Sequence, residues 1–513
     1  MSSEIARRIR VSTNASSTLK WPVAFPRIGE GQAQWSALVI FVFAIAVQCA
    51  VGTPSDTSWL ITVCEKILEG HRLYVDIAEV NPPGAVFLYM PAVWIAHVTN
   101  VRPEFAVATF VFVSIGGSLA LASTILSQAG LAQRIGPAGF SFTLLLLAAL
   151  PSAVFEQREH LALLFGLPLI AALVVRAAGA QINIGSRLLA GLCGAIMIAV
   201  KIYFVLIIAA PLVYVVWRIG WRRLFTTLEL YVFAAVASVL LALSVALFPA
   251  FIHKIAPMVA EIYVPQRRDL IYLVFRPAII CWLVFAAYLS SLACKRFDDP
   301  LLVVPALAST GALAAYFLQG KGWPYQAYPA VALMGMALGA AALLDRNMTR
   351  SAFANLPITC TATFFLAFGA FTFAPRLDSA SLEKLVASTA RHPKVLMIGA
   401  DIALGFPLTR SVDGEWVGTF PCLWVTDMIS YQRDMGEQAR TAESDRLLRA
   451  DRETLVADIK NKRPDAILVA DAVWKNWTLT HVDVAAALAD YAPIGADGEI
   501  EVYGLRPALR PAQ

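Results

Sequence analysis

The sequence predicts an α-helical polytopic membrane protein with a C-terminal α/β domain, and three observations support this fold class. Of the 513 residues, 58% are hydrophobic and 15% charged, with a mean hydropathy of +0.66. A soluble domain carries about 25% charged residues. Apolar runs of bilayer length recur up to Pro375, after which the composition becomes that of a soluble domain. The net charge of +5 is small and scattered, without a basic stripe, which excludes a nucleic-acid-binding protein.

The first 34 residues are predicted to form a cytoplasmic N-terminal tail. The tail is mostly polar and carries several Arg and Lys residues. A signal peptide would place its apolar core much closer to the start and follow it with a small-residue cleavage site. We therefore expect the first apolar run to be retained as a membrane anchor. The seven cysteines include no C-x-x-C pair, and no disulfide framework is expected.

A transmembrane domain is predicted over residues 35–374. Spanning a bilayer takes about 20 apolar residues. On this criterion eleven spans are expected, near 35–52, 105–127, 137–154, 161–178, 186–200, 202–217, 226–248, 274–293, 300–318, 326–344 and 352–373.

Residues 83–98 are also apolar, and the distribution of cations decides their placement. Cytoplasmic loops hold the excess of Lys and Arg. If 83–98 is re-entrant or interfacial, every cytoplasmic connection, including "RAAGAQINIGSR", "WRIGWRR", "CKRFDD" and "LLDRNMTR", holds an Arg. Residues 53–104 then form one large outer loop. We therefore expect the protein in the inner or plasma membrane, with its N-terminus inside and the C-terminal domain outside.

The segment 375–513 is predicted to be an extracytoplasmic α/β domain. "KVLMIGA", "DAILVA" and "EIEVYGL" are short apolar runs typical of strands. "SLEKLVASTA" and "DRLLRADRETLVADIKN" show helical spacing.

The outer loop 53–104 is unusually rich in ionisable residues. "SDTSWLITVCEKILEG" is predicted to form a helix, with Ser55 as its N-cap, Asp56 in its first turn and Gly70 at its end. "YVDIAEVNPPG" places Asp76 and Glu79 before two prolines that prevent helix continuation. A purely structural role remains open for each of these acids. Asp56 could interact with the helix dipole, and Asp76 and Glu79 could belong to a solvated interfacial loop.

Three further outer segments carry charge. "FEQREHLA" places Glu156, Arg158, Glu159 and His160 at a junction of two spans, where a hydrated hairpin tip with internal salt bridges fits equally well. Lys201, followed by Tyr203, lies in "AIMIAVKIYFVLII" without a polar loop to solvate its ammonium; it either snorkels or holds a phosphate. Finally, "YVPQRRDL" and "QGKGWPYQAYPA" supply Arg267, Arg268, Lys321, Trp323 and Tyr325.

This layout resembles the GT-C superfamily of membrane glycosyltransferases, and within it the protein O-mannosyltransferase and aminoarabinose transferase group. The matching pieces are "PSDTSWL" after the first span, "LYVDIAEVNPPG", "EQREHLALL", the Lys201 corner and "QGKGWPYQAYPA". The sequence departs from the family pattern in having Thr57 after Asp56, Asn81 before the Pro-Pro pair, and Glu156 and Glu159 in place of an aspartate.

The resemblance implies an inverting transfer of a sugar from a polyprenyl-phosphate-linked donor to an extracytoplasmic glycan or glycolipid acceptor. It places the general base at Asp56, because the essential acid of the family follows the first span. A multi-span transporter or flippase of a lipid-linked or anionic substrate is the alternative, although charges at span ends on one face are less typical of transporters. The expected roles are acceptor orientation or binding of a divalent ion such as Mg or Mn for Asp76, Glu79, Glu156, Glu159 and His160; carrier-phosphate binding for Arg158, Lys201, Arg267, Arg268 and Lys321; and pocket aromatics for Tyr203, Trp323 and Tyr325.

Overall fold

The chain is a helical bundle joined to a small α/β domain. The structure, a computed structural model, describes residues 30–293, 298–344, 361–373 except 363, 379–434 and 441–506. The bundle consists of the helices Glu30–Val51, Ser55–Leu68, Pro83–Phe87, Met90–Thr99, Pro103–Ser127, Ala132–Ala148, Arg158–Ala177, Ile184–Val200, Val205–Ile219, Trp221–Leu224, Leu228–Leu247, Ala256–Met258, Leu270–Val274, Pro277–Ala293, Pro300–Gln319 and Pro324–Leu344, with further helical residues at 361–372.

Each of the eleven predicted spans coincides with helix in the described part of the chain. Within those ranges, seven helices are long and apolar enough to cross a membrane, which makes this a multi-pass membrane protein. The number of spans itself stays a prediction. The tail up to residue 29, most of "CKRFDD" and "LLDRNMTR", and positions 352–360 of the last span lie outside the described residues.

Two helices form the centre of the bundle. In the 18-residue apolar stretch of each helix, 94% of the residues of Arg158–Ala177 and 89% of those of Pro324–Leu344 are buried. In Leu228–Leu247 none of the residues of this stretch is buried. The Pro324–Leu344 helix packs against Pro300–Gln319 and Pro277–Ala293. The exposed apolar side chains of the outermost helices would contact lipid tails, which are as apolar as a protein core.

The apolar segment 83–98 forms two short helices instead of one continuous span. Pro83 occupies the first turn of Pro83–Phe87, where its missing N–H costs nothing, and Met90–Thr99 follows after a break. Trp94 and Val98 are exposed at 54% and 62%. Exposed apolar side chains on a ten-residue helix suit an interfacial position, although its depth in the membrane stays a prediction.

The first helix of the loop 53–104 begins one residue earlier than predicted. The N-cap is Pro54, not Ser55, and no side chain caps the helix. Ser55 is already the first helical residue, because the extended Pro54 (φ −63°, ψ 152°) precedes it. Asp56 lies in the first turn as predicted, and Gly70 follows the C-cap Glu69 with a left-handed φ of +97°.

The C-terminal domain is a five-stranded mixed sheet with helices. The strands are β1 Lys394–Ile398, β2 Glu415–Trp416, β3 Ala466–Val469, β4 Tyr491–Asp497 and β5 Ile500–Leu505, in the order β2-β1-β3-β5-β4. β1 pairs in parallel with β2 and β3, and β5 pairs antiparallel with β3 and β4. Its helices are Ala380–Ala387, Ile402–Gly405, Leu408–Ser411, Trp424–Asp434, Ala442–Lys462, Ala472–Thr480 and Val482–Ala487.

The C-terminal domain packs onto the same end of the bundle as the loop 53–104. Arg410 binds the carboxylates of Glu65 and Glu104 from the bundle, and the Ala78 N–H donates to the carbonyl of Thr419 at 3.2 Å. The C-terminal domain therefore covers this end of the helical bundle. The expected boundary near residue 375 falls within 374–378, outside the described residues.

Candidate active site

Four charged side chains from three helix ends meet under the C-terminal domain. Asp56 lies in the first turn of Ser55–Leu68, and Arg158 and Glu159 begin the helix Arg158–Ala177. Lys201 forms the extended corner after Ile184–Val200. We refer to Asp56, Arg158, Glu159 and Lys201 as the ionic cluster.

The ionic cluster is held by two ion pairs. Arg158 Nη2 lies 3.5 Å from Asp56 Oδ1, and Lys201 Nζ lies 2.7 Å from Glu159 Oε1. The side chains of Arg158 and Glu159 are 5% and 0% exposed, whereas that of Asp56 is 26% exposed. Asp56 is thus the most exposed member of the ionic cluster, next to two buried side chains.

Unused hydrogen-bonding atoms surround the ionic cluster. Among the described residues, no hydrogen-bond partner exists for the buried atoms Gln157 Oε1, Arg158 Nε, Glu159 Oε2 and Gln326 Oε1. Buried polar atoms in proteins are almost always bonded, so a group of unbonded ones indicates a place for water or a polar ligand. The free guanidinium N–H of Arg158 is a donor suited to an anion.

Glu79 is buried next to the ionic cluster and firmly held. Its carboxylate accepts hydrogen bonds from Trp59 Nε1 at 2.5 Å and from the Asn81 backbone at 2.7 Å. Burial raises the pKa of Glu79 above its ordinary range, and nearby Arg158 opposes this shift. Because its acceptor positions are engaged, Glu79 fixes the segment before the Pro-Pro pair.

Aromatic side chains form one wall of the site. Lys201 Nζ lies 5.9 Å from the centre of the Tyr325 ring, and Trp323 follows at 5.5 Å from Tyr325. Tyr263, 6.2 Å from Trp323, extends the wall. Of the three predicted aromatics, Trp323 and Tyr325 therefore lie on the side of the ionic cluster that carries Lys201, and Tyr203 lies in the short helix Ile202–Phe204 that follows Lys201.

Lys321 is bound to backbone instead of facing open space. Its ammonium donates to the carbonyls of Tyr263 and Gln266. Burial, together with Arg267 and Arg268, lowers the pKa of Lys321 to about 8. Both flanking residues must be glycine, since they have left-handed φ values of +66° and +77° and a Cβ on either would approach a side chain within 2.9 Å.

Arg267 and Arg268 lie on the exposed rim beyond the aromatic wall. Arg267 Nη2 donates to the Leu318 carbonyl at 2.6 Å. The guanidinium of Arg268 lies 5.6 Å from the Tyr272 ring and 5.8 Å from the Tyr431 ring of the C-terminal domain. Arg268 thus lies between the bundle and the C-terminal domain, and Arg267 lies beside it.

Three predicted residues lie away from the ionic cluster. Asp76 is exposed and pairs with Arg72, whose hydrogen bonds lower the Asp76 pKa to about 2. His160 faces the bundle interior, where Nε2 contacts the Leu147 carbonyl at 2.9 Å and the ring packs on Tyr328. The Glu156 carboxyl faces a separate groove between the first helix and Pro103–Ser127. These positions do not support a shared role for the five predicted acceptor or metal residues.

The residues present do not fit a divalent ion. No group of three or more His, Cys, Asp or Glu side chains with ligand geometry occurs within the described ranges. Of the cluster carboxylates, Asp56 faces Arg158 and Glu159 faces Lys201. Carboxylates whose charge is already balanced by a cation are poor ligands for a hard divalent ion, so no step of the mechanism is routed through a metal.

Several polar residues of the site were not predicted from the sequence. Gln157 Nε2 lies 3.5 Å from Asp56 Oδ2, and Gln319 Oε1 accepts hydrogen bonds from Lys201 at 3.4 Å and Gln326 at 3.2 Å. These glutamines lie within or beside the segments that carry the predicted charges. Their position at the ends of apolar helices could have identified these glutamines as candidate site residues.

This architecture, with charged groups at one end of a helical bundle beneath a small α/β domain, has counterparts among solved structures. It is the GT-C fold, as the resemblance predicted. The sequence matches no family model, and no curated protein matches it.

ArnT from Cupriavidus metallidurans, in a crystal structure bound to undecaprenyl phosphate, matches with a TM-score of 0.61 and 13% identity over 94% of this chain and 100% of ArnT. The apo form of ArnT gives a TM-score of 0.59, also at 13% identity, with the same coverage. The Archaeoglobus fulgidus oligosaccharyltransferase gives 0.47 at 11% identity over 91% of this chain and 72% of that one. At these identities the likeness to ArnT establishes the fold, and the last match carries no weight.

Proposed function

We propose that this protein is a glycosyltransferase that moves a sugar from a polyprenyl-phosphate-linked donor to a glycan or glycolipid acceptor. The observation that carries this proposal is the ionic cluster, with a part-exposed carboxylate beside buried cations and unbonded polar atoms. The GT-C fold supports it, since ArnT with the same fold is bound to undecaprenyl phosphate. The buried Arg158 N–H and the Lys201 ammonium would stabilise a lipid phosphate.

Asp56 is the general base in this proposal. As the acceptor oxygen forms its bond to the anomeric carbon, Asp56 takes the hydroxyl proton. The bond from that carbon to the phosphate oxygen breaks, and polyprenyl phosphate leaves with the electron pair. Arg158 and Lys201 stabilise the charge that develops on the phosphate. A single displacement of this kind inverts the anomeric configuration.

The remaining cations and aromatics define the donor side of the site. Tyr203, Trp323 and Tyr325 would flank the sugar, and Arg267 and Arg268 would meet the carrier phosphate as it approaches. Lys321, whose ammonium is engaged by carbonyls, acts by holding the segment between Tyr263 and Gln266 in place. Likewise Glu79 holds the segment before the Pro-Pro pair.

The site faces the outer side of the membrane in this proposal. Arg176 and Arg187 lie at the helix ends opposite to Arg158 and Lys201, where they bind the buried Glu229. An excess of arginine at that end matches the cytoplasmic side. The C-terminal domain would then be extracytoplasmic.

The decisive experiment compares Asp56→Asn with Asp76→Asn in protein purified into lipid nanodiscs. A panel of polyprenyl-phosphate-linked hexoses and pentoses is incubated with envelope glycolipids, and release of polyprenyl phosphate is measured. We expect Asp56→Asn to lower turnover by about 10²–10⁴-fold, the range for loss of general base catalysis. Donor binding should stay within about threefold of the wild-type value, because Arg158 and Lys201 remain.

Asp76→Asn is the matched control, since Asp76 lies in the same loop but away from the ionic cluster. It should retain wild-type turnover. Normal turnover of Asp56→Asn would remove Asp56 as the base. Movement of a solute across the membrane with no sugar released from any donor would favour the transporter alternative.

A further inference from the structure

A lateral groove lies between the first helix, Glu30–Val51, and the helix Pro103–Ser127. It encloses about 530 Å³ and is distinct from the ionic cluster. Its walls include Phe41, Ile45, Phe105 and Val113, of which Phe105 and Val113 are 68% and 67% exposed on the outside of the bundle. We name this feature the lateral groove. An apolar groove open on two membrane helices faces the hydrocarbon of the bilayer.

The lateral groove ends in a polar pocket. Glu156, Glu104, Thr53 and Gln48 line this end. Glu156 is 4% exposed, and its Oε2 has no hydrogen-bond partner in the described part of the chain. A carboxyl oxygen buried without a partner at the end of a cavity indicates a missing polar ligand.

The backbone at Glu156 is held in an uncommon conformation. Its φ is +66°, in the left-handed region that residues with a Cβ rarely adopt. The Glu156 carbonyl accepts hydrogen bonds from Tyr89 Oη at 2.6 Å and Thr57 Oγ1 at 3.3 Å. These bonds maintain the conformation that turns the carboxyl into the lateral groove.

The charge of the polar end selects its ligand. Glu104 is paired with Arg410 and Arg102, and the described residues that line the lateral groove include no Lys or Arg, so its polar end offers no free cation to an anionic phosphate head. Burial and the neighbouring Glu104 raise the pKa of Glu156 to about 8, so at neutral pH the carboxyl is mostly protonated and can both donate and accept hydrogen bonds. Sugar hydroxyls satisfy such a group without introducing charge.

The geometry connects the lateral groove to the proposed base. Between Phe41 and its end at Val51 the first helix extends about 15 Å, at 1.5 Å for each residue. Thr57, which bonds the Glu156 carbonyl, is the residue after Asp56. A chain lying in the groove would therefore bring its polar head to the start of the helix that carries Asp56.

We propose that the lateral groove holds the hydrocarbon chain of a lipid-anchored acceptor, whose uncharged, hydroxylated head is bound by Glu156. This proposal rests on the proposed function and specifies its acceptor as a glycolipid. Donor and acceptor then approach the ionic cluster from different sides, the phosphate along the cationic and aromatic wall and the acceptor along the lateral groove.

Two adjacent glycines provide the test. Gly116 lines the lateral groove and Gly117 does not, and a Cβ at either position would meet no atom within 4 Å. Gly116→Phe should therefore fill the groove without disturbing the bundle, and Gly117→Phe is its matched control. Each variant is placed in lipid nanodiscs and labelled with dodecyl glucoside that carries a photoactivatable diazirine in its chain.

We expect labelled peptides from residues 41–52 and 104–116 of the wild type. Labelling should fall at least tenfold in Gly116→Phe and stay within twofold in Gly117→Phe. Unlabelled dodecyl glucoside should compete at a concentration at least tenfold lower than dodecyl phosphate. Undecaprenyl phosphate should not displace the probe.

Equal labelling of the two variants, or equal competition by the phosphate, would overturn the proposal, as would displacement by undecaprenyl phosphate. Labelling requires no turnover, so its failure is independent of the sugar-release assay. If labelling fails while donor turnover is observed, the acceptor site lies elsewhere. If labelling succeeds and no donor is consumed, the proposed function fails instead.

Discussion

Lys201 Nζ donates to Glu159 Oε1 at 2.7 Å, joining the end of one membrane helix to the start of another. The Glu159 side chain is fully buried and that of Lys201 is 13% exposed. Removing one member of a buried pair leaves the other charge without compensation, which costs about 3–5 kcal/mol. Replacing both members with neutral groups avoids this cost.

Lys201→Met should accordingly lower the thermal stability of the purified protein. The double variant Lys201→Met, Glu159→Gln should recover most of this loss but should still bind the polyprenyl-phosphate donor at least tenfold more weakly than wild type. Thermal unfolding and donor titration measure the two effects separately. Wild-type donor affinity in the double variant would show that Lys201 serves the fold alone.

Gly84→Ala should disturb the corner at Lys201 from a distance. A Cβ on Gly84 would lie 2.3 Å from the carbonyl oxygen of Ala199, near the end of the helix before Lys201. The backbone must move to admit the methyl group, so we expect a destabilisation of about 1–3 kcal/mol and a raised KM for the donor. Thermal unfolding and steady-state kinetics provide the measurements.

Gly185→Ala is the control for this substitution. Gly185 lies at the start of Ile184–Val200, the helix whose last turn is contacted by Gly84. Its Cβ would make an ordinary contact of 3.7 Å with Asn183 Oδ1. Alanine is the better helix former, so stability should be unchanged or rise by up to about 1 kcal/mol. Equal effects at both glycines would contradict the tight packing of Gly84.

Arg410 of the C-terminal domain forms ion pairs with Glu65 and Glu104 of the bundle, and its side chain is only 12% exposed. We expect Arg410→Met to increase hydrogen exchange in the helix Ser55–Leu68 and to lower stability by about 2 kcal/mol, because Glu65 loses the guanidinium that pairs with it, while Glu104 keeps Arg102 at 3.8 Å. Mass-spectrometric hydrogen exchange would locate the change.

Arg446→Met is the comparison for that interface. Arg446 pairs with Glu443 on one helix, with the side chains 73% and 44% exposed. An exposed pair of this kind contributes about 0–1 kcal/mol. Similar losses in both variants would show that Arg410 does not hold the domains together.

Asp451 should make stability depend on pH. Burial raises its pKa to about 6, opposed by hydrogen bonds from Thr426. An acid whose pKa is raised in the folded state stabilises the protein fully below its unfolded pKa of about 3.9, and this stability is lost as the pH rises through about 6. Between pH 4 and 7 the loss amounts to roughly 2 kcal/mol.

Asp451→Asn should therefore become more stable relative to wild type as the pH rises from 4 to 7. Thermal unfolding of the full chain at each pH measures the difference. Asp445→Asn, at an exposed carboxylate on the same helix, should change stability by less than about 1 kcal/mol at every pH. A difference for Asp451→Asn that stays constant with pH would contradict the buried titration.

The strands show where sequence patterns suffice. β1 and β3 are short apolar runs buried on both faces, and their continuous hydrophobicity identified them. β4, "YAPIGAD", was not predicted, because Pro493 and Gly495 are typical of turns. It forms as an edge strand with an irregular register at these residues, a position that tolerates both.

The sequence by itself determined the membrane class, the positions of the apolar helices and the segments in which charge occurs, because hydropathy and helix-breaking prolines act locally. Only the tertiary structure decided which charges meet. Asp56 and Arg158 are 102 positions apart in the chain yet form an ion pair, whereas Asp76 and His160, in the same two segments, point elsewhere. The direction in which each side chain points depends on how the helices pack against each other. No local sequence pattern contains that information.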